Sequence, residues 1–211
     1  MTLIDRAERI RELCEGQRVL DVGCCAHGEF EGRNESGFLH QDVRSVAKQV
    51  VGLDNDAQAV EEAVKAGYNV VCGDAEALGK AGLGQFDVIV AGEIIEHLSN
   101  PGLFLDGALE LLIPSGILIV TVPNAWSFTR LKQLRKGIDD AKWTHDQHTC
   151  WYSKSTITAL LGRHGFCIDE VGFCNAFVSK QILKRVRDRL LLGWAMRPEF
   201  AESVFVVGRK K

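Results

Sequence analysis

Short apolar segments alternate with amphipathic ones along most of the chain. Segments of the second kind carry apolar residues at helical spacing, as in Leu3, Ala7 and Ile10 before the first apolar run. The compact apolar runs predict strands that are buried on both faces, at residues 18–22, 50–54, 69–72, 86–90 and 116–122. Strands that alternate with helices indicate a parallel sheet covered by helices on both faces, which is a doubly wound α/β fold.

Polar residues at the ends of these segments predict where helices start and stop. Asp56 is expected to be the N-cap of a helix over residues 57–66. Asn100 is expected to cap a helix that has Pro101 in its first position. Three further elements are predicted towards the C-terminus, namely strands at 166–173 and 203–207 and, between them, a basic amphipathic helix at 179–192.

Residues 124–152 interrupt this alternation. They are rich in Trp, Arg, Lys, Asp and His, and they follow the fifth predicted strand. The segment is therefore predicted to be a lid-like insertion over one end of the sheet. Because the chain has no repeat, low-complexity tract or linker, residues 1–211 are expected to form a single domain.

The composition is that of a soluble protein with a small-molecule partner. The chain has 211 residues, of which 46% are hydrophobic and 25% charged, and these are ordinary values for a globular domain. A net charge of −3 provides no basic balance for binding nucleic acid. The most apolar stretch, residues 103–122, contains Asp106, Glu110 and Pro114 and is too polar for a membrane span.

Cysteine usage indicates a reducing compartment. Seven cysteines without a CxxC pair argue against a disulfide framework or a zinc ribbon. Residues 1–8 carry charges too early for a secretory signal, so a cytoplasmic location is expected. The neighbours Cys24 and Cys25 are candidates for a redox or metal pair, but adjacent cysteines bridge poorly, and inert thiols are the favoured interpretation.

An acid lies at the carboxyl end of each of the first four predicted strands. These residues are Asp21, Asp54, Asp74 and Glu93. In open α/β sheets ligands bind outside the carboxyl ends of the strands. A carboxylate there costs stability unless it is paired, and ribose hydroxyls and an adenine amino group are suitable donors. The alternative is that each acid merely stabilises a turn at its strand end.

In this order the segments resemble the class I S-adenosylmethionine-dependent methyltransferases, in particular the small-molecule branch that includes ubiquinone-pathway O-methyltransferases. The resemblance covers nearly the whole chain and runs through residues 19–24, 52–54, 73–76, 86–90, 93–98 and 116–124. It implies a Rossmann-like, mostly parallel seven-stranded sheet with a final antiparallel strand. It also implies S-adenosylmethionine as cofactor and methyl transfer to a small-molecule acceptor, with oxygen the first choice and nitrogen or carbon open.

The loop after the first strand departs from the family pattern. The resemblance implies that Asp21 and the backbone of Gly23 and Cys24 frame the methionine part of the cofactor. The usual loop reads Asp-x-Gly-x-Gly-x-Gly, whereas this chain has Cys25 and His27 in two of the glycine positions. Since glycine there lets the backbone approach a ligand closely, the departure leaves the loop geometry open.

The resemblance also implies which part of the cofactor each of the other acids binds. Asp54 would accept hydrogen bonds from the ribose hydroxyls, and Asp74 would bind the adenine amino group with the backbone of Ala75 on the ring edge. Glu93 would lie beside the sulfonium or the methionyl amine. Asp42 competes with Asp54 on spacing, but it precedes a helix-like run and is predicted to be an N-cap.

Glu93, Glu96 and His97 are spaced to share one helix face. Two carboxylates and an imidazole can hold a divalent cation, and residues 145–148 contain two histidines that can add a ligand. Such a set resembles the metal ligands of small-RNA 2′-O-methyltransferases and some ubiquinone-pathway relatives. The favoured prediction is that no metal is bound, because most methyltransferases with a similar Glu-His pair need none.

His148 and His97 are the predicted catalytic residues. The chain is expected to return after the insertion so that His148 lies near His97, where a neutral imidazole suits a general base for a substrate hydroxyl. The alternative is a hydrogen-bonded structural histidine. The basic residues of the insertion, Arg130, Lys132, Arg135 and Lys136, form either a solvated helix face or a contact for an anionic acceptor.

Two other functions remain open from the sequence. A nicotinamide-dependent oxidoreductase would need Gly-x-Gly-x-x-Gly after the first strand, which residues 23–28 do not provide. A non-catalytic cofactor-binding module on a methyltransferase fold is compatible with the altered loop.

Overall fold

Helices and strands alternate along the chain much as predicted. The computed structural model describes residues 3–25, 39–142, 144–175 and 197–211. Its helices are α1 Arg6–Cys14, α2 Leu39–Arg44, α3 Ala57–Lys65, α4 Pro101–Leu111, α5 Phe128–Arg135 and α6 Lys154–Arg163. Its strands are β1 Arg18–Val22, β2 Gln49–Asp54, β3 Val70–Cys72, β4 Phe86–Gly92, β5 Leu112–Pro123, β6 Phe166–Cys174 and β7 Ser203–Lys210.

The described residues form one seven-stranded sheet in the order β3-β2-β1-β4-β5-β7-β6. Strands β1 to β5 are parallel. Strand β7 runs antiparallel to both β5 and β6. The prediction of a mostly parallel, doubly wound sheet with a final antiparallel strand is therefore confirmed. The strand order reverses between β1 and β4, and this is the place where such sheets form a ligand crevice at their carboxyl edge.

Two apolar layers cover the sheet and explain the continuous apolar runs. Within β4, Ile89 packs in one layer with Phe104 of α4. Its neighbour Val90 packs in the other layer with Ile10 of α1. Since successive strand residues point to opposite faces, a strand covered on both sides needs apolar residues throughout.

The predicted helix ends are correct in part. Asp56 caps α3 by accepting hydrogen bonds from the backbone of residues 58 and 59, as expected. Asn100 occupies the N-cap position of α4, but its side chain makes no capping hydrogen bond. Glu76 Oε1 instead accepts from the backbone N–H groups of Ser99 and Asn100, at 2.7 and 3.0 Å. The helix predicted at 179–192 lies outside the described residues.

The prediction that Asp42 is an N-cap is wrong. Helix α2 begins at Leu39, so Asp42 lies inside it. The earlier start buries His40 and Val43 against the sheet. Burial of these two residues therefore outweighs the local capping preference.

The apolar stretch at residues 103–122 is divided between two elements. Its first part belongs to α4, which has 11 residues, and its second part belongs to β5. In the part of the chain that the structure describes, no helix has both the length and the apolar character that crossing a membrane requires.

Candidate active site

A cavity of about 710 Å³ opens at the carboxyl ends of β1 to β4. Its size lies within the range of about 300–1,000 Å³ that is usual for small-molecule sites. Every site residue predicted from the sequence lines this cavity: Asp21, Gly23, Cys24, Asp54, Asp74, Ala75, Glu93, His97 and His148. The topology thus brings together residues that are up to 127 positions apart in sequence.

Asp21, at the end of β1, has a partner within the protein. Its Oδ2 lies 2.8 Å from His40 Nδ1, and both side chains are buried. A buried carboxylate needs such a partner, so Asp21 does not depend on a ligand for its pairing. His40 was not among the predicted site residues, because nothing in its spacing links it to Asp21.

Asp54 holds the loop after β1 against the end of β2. Its Oδ2 accepts a hydrogen bond from the backbone N–H of Cys25 at 2.8 Å, and its Oδ1 accepts one from Asp56 at 3.0 Å. A carboxylate has about four acceptor positions, so Asp54 can take further donors from a ligand.

The same loop contains a glycine that no other residue replaces easily. Gly23 has a φ of +73°. A Cβ at Gly23 would lie 2.9 Å from the Cδ1 of Ile94. The altered loop therefore keeps the glycine that both its conformation and its packing require.

Asp74 stabilises a turn, which was the alternative interpretation of this residue, and it also lines the cavity. Its Oδ1 accepts a hydrogen bond from Glu76 N at 2.8 Å and caps a short 3₁₀ helix over residues 75–80. The aspartate itself is exposed at the cavity, whereas Ala75 is buried behind it. The two roles are compatible.

Glu93 does not share a helix face with Glu96, and that prediction is wrong. Only Ile95–His97 forms a short 3₁₀ helix, and Glu93 precedes it with a φ of +59°. Such a left-handed conformation costs on the order of 1–3 kcal/mol for a residue other than glycine, and it is typical of functional sites. Burial raises the pKa of Glu93, against the opposing charge of Arg6.

Glu96 is a buried acid at the cavity wall. Its side chain has no hydrogen-bond partner among the described residues for either carboxyl oxygen. Burial, reinforced by the charge of Glu93, raises the pKa of Glu96 to about 8. Glu96 is therefore mostly protonated at neutral pH in the free protein.

Arg6 brings a positive charge to the same cavity. It comes from the first turn of α1 and lines the cavity beside Gly92. A Cβ at Gly92 would lie 2.6 Å from the Nη2 of Arg6. Arg6 was not among the predicted site residues either, because an arginine at a helix start has no sequence signature of its own.

The segment 124–152 leaves β5 and returns to the same point. Asn124 forms a β-bridge with Tyr152, and Ala125 N donates to Tyr152 O at 2.8 Å. Near its end, the Thr149 backbone N–H donates to the carbonyl oxygen of Glu96 at 2.8 Å. The Thr149 hydroxyl donates to the carbonyl oxygen of Leu98 at 2.7 Å. These bonds attach the end of the segment to the cavity rim.

Three histidines meet as a result. The ring centroids of His148 and His97 are 4.6 Å apart, with the ring planes at 88°. His145 lies 5.3 Å from His148 and 5.6 Å from His97. Ligand atoms of the three imidazoles all lie within 4.8 Å of one another. The segment thus brings imidazoles, rather than the pair Glu93 and Glu96, into a set suited to a transition metal.

His148 is neutral at physiological pH. Burial lowers its pKa to about 4, with further contributions from His97, His145 and Arg130. Its Nδ1 is buried without a hydrogen-bond partner among the residues that the structure describes. An imidazole in this state can accept a proton.

The sheet order and the acids at its carboxyl edge are typical of proteins that bind a nucleoside-containing cofactor at this edge. A profile of the methyltransferase domain family matches residues 2–171. The chain belongs to this family, and to its class I S-adenosylmethionine-dependent group.

Similar proteins agree with this assignment. The ubiquinone biosynthesis O-methyltransferase of Azorhizobium caulinodans is 36% identical over 124 residues, which are 56% of this chain and 44% of that protein. The chain spans only 42–46% of the first curated relatives that it matches.

Solved structures share the fold. A methyltransferase from Archaeoglobus fulgidus has a TM-score of 0.68 at 18% identity and covers 97% of this chain and 91% of its own. Magnesium protoporphyrin IX methyltransferase from Synechocystis, with bound S-adenosylhomocysteine, has a TM-score of 0.61 at 16% identity, with 97% and 82% covered. S-adenosylmethionine is the cofactor of this domain.

Proposed function

We propose that the protein transfers a methyl group from S-adenosylmethionine to an oxygen of a small-molecule acceptor. The observation that carries this proposal is the neutral His148, which lies against His97 in the cavity that also contains Asp54, Asp74 and Glu93. The oxygen acceptor is further supported by the names of relatives, such as the O-methyltransferase of Azorhizobium caulinodans.

The residues of the cavity fit the parts of the cofactor. Asp54 and Asp74 provide acceptors at the ends of β2 and β3, where the ribose and the adenine would lie. Arg6 suits the carboxylate of the methionine part, and Glu93 suits its amine or the sulfonium. Charge complementarity with these residues would orient the cofactor with its sulfonium end towards the histidines.

The protein contributes orientation and one proton transfer. The bound cofactor supplies an electrophilic methyl group on a positive sulfur. The cavity holds the acceptor hydroxyl in line with that group, which is the main source of acceleration in such a displacement. His148 takes the hydroxyl proton, and His97 holds the ring of His148 in place.

The low basicity of His148 favours an acidic hydroxyl. Its pKa of about 4 makes proton transfer from an aliphatic alcohol strongly uphill. A phenol, with a pKa near about 10, is a more accessible proton donor. We therefore propose a phenolic or similarly acidic acceptor. An anionic acceptor would meet the exposed basic residues of α5, but Arg130 is engaged in a cation–π contact with Trp151 at 4.2 Å.

We further propose that residues 1–211 form a single cytoplasmic domain without a nucleic-acid partner, and that the segment 124–152 acts as a lid. The seven unpaired cysteines support the location. The closed excursion from Asn124 to Tyr152, which brings His145 and His148 to the cavity, supports the lid.

A metal-assisted reaction is the second candidate, because the imidazoles of His97, His145 and His148 converge. Both candidates are tested by incubating the protein with S-adenosylmethionine and a panel of phenols and aliphatic alcohols, with and without a chelator, and measuring S-adenosylhomocysteine. We expect the protein to methylate a phenol, and we expect the chelator to leave this turnover unchanged. Loss of turnover with the chelator would favour the metal. Failure of every acceptor, despite cofactor binding, would favour a non-catalytic binding module.

A further inference from the structure

Cys24 and Cys25 form a buried thiol pair that the methyl transfer does not use. Their exposed fractions are 5% and 1%, and their Sγ atoms are 3.8 Å apart. A carboxyl oxygen of Asp54 lies within 4.8 Å of both sulfurs. Cys24 also lines the cofactor cavity. Cys25 stands at a position where the usual loop pattern of the related methyltransferases has glycine.

The distance between the sulfurs suits a tetrahedral metal ion. Two thiolates bound to Zn²⁺ at about 2.3 Å, with a tetrahedral angle between them, are about 3.8 Å apart. A disulfide would require the sulfurs to approach to about 2.05 Å, a poor geometry for adjacent residues. The pair is thus arranged for sharing a cation rather than for oxidation.

The surrounding structure holds this arrangement. The backbone N–H of Cys25 donates to Asp54 Oδ2 at 2.8 Å, which fixes the loop to the third candidate ligand. Gly52 leaves room for the other thiol, since a Cβ there would lie 2.5 Å from Cys24 Sγ. Both cysteines belong to one buried apolar cluster with Ala59 and Val60 of α3.

We propose that Cys24, Cys25 and Asp54 form a site for a soft divalent cation, Zn²⁺ or Cd²⁺, and that this cation and the cofactor exclude each other. Binding converts two thiols to thiolates and releases two protons, with no change in oxidation state, and water completes the coordination. The hydrogen bond with the Cys25 thiol, together with burial, raises the pKa of Cys24. Exclusion rests on the proposed contact of Asp54 with the ribose, because metal coordination occupies the same carboxylate.

The test is a Cd²⁺ titration of the reduced, chelator-treated protein, followed by the ultraviolet charge-transfer absorption of thiolate-bound cadmium. This signal does not arise from cadmium bound to the histidines. The test variant is Cys25→Gly, which restores the family residue and removes one thiol. The matched control is Cys72→Ser, which removes an exposed thiol elsewhere on the sheet. Circular dichroism checks that both variants are folded.

We expect the protein and Cys72→Ser to bind Cd²⁺ equally, and Cys25→Gly to bind it at least tenfold more weakly. Saturating S-adenosylhomocysteine should weaken Cd²⁺ binding at least tenfold. Cd²⁺ should weaken the binding of S-adenosylhomocysteine by the same factor, because such coupling is reciprocal. An absorption that is absent, or unchanged in Cys25→Gly, would overturn the site. An absorption that is present but insensitive to S-adenosylhomocysteine would overturn the exclusion and, with it, the role of Asp54. Neither result would contradict the proposed role of His97 and His148 in methyl transfer.

Discussion

Replacing Asp54 with alanine tests the cofactor assignment quantitatively. The substitution removes an acceptor from the N–H groups of Cys25 and Asp56 and, by our assignment, from the ribose hydroxyls. Leaving such groups without a partner costs about 1–3 kcal/mol. The affinity for S-adenosylhomocysteine should therefore fall about 5- to 150-fold.

Calorimetric titration with S-adenosylhomocysteine is the assay, and Asp56→Ala is the control. Asp56 precedes α3, and its Oδ1 is already engaged by the backbone of that helix. Loss of this cap should cost about 1 kcal/mol of folding stability. It should change the affinity less than twofold. An unchanged affinity in Asp54→Ala, or an equal loss in Asp56→Ala, would refute the reasoning.

Three further predictions concern the acceptor side. His148→Ala should lower turnover about a hundredfold or more at unchanged cofactor affinity, whereas a purely structural histidine would leave turnover per folded molecule normal. Glu96 has a folded-state pKa of about 8, against an ordinary value of 4.5, so stability should fall as pH rises through this window. Glu96→Gln should thus raise the Tm above pH 8, at about 2–4 °C per kcal/mol, and a Tm equal to that of the parent protein would contradict the buried, protonated acid. Hydrogen exchange in residues 124–152 should slow when S-adenosylhomocysteine and an acceptor bind, and an exchange rate that ignores both would exclude a lid.

The sheet and its edge could be predicted because their signals are local and repeated. Each buried strand is visible in the sequence as an apolar run, and the acids Asp21, Asp54 and Asp74 lie at or next to the carboxyl ends of such runs. Parallel strands bring their carboxyl ends to one edge, so sequence order alone places these residues together.

The misses are contacts or conformations that spacing does not encode. His40 reaches Asp21 only because α2 starts early, and Arg6 enters the cavity from a helix that carries no site motif. Helical spacing placed Glu93 on a helix face, whereas a left-handed turn at this residue separates it from Glu96. Tertiary packing decides each of these cases.

A crystal structure of the protein with S-adenosylhomocysteine tests the central claim most directly. We expect the nucleoside at the carboxyl ends of β1 to β4, with Asp54 within hydrogen-bond distance of the ribose hydroxyls. The sulfur should face the cluster of His97, His145 and His148. A nucleoside bound elsewhere, or a sulfur turned away from these histidines, would contradict the account.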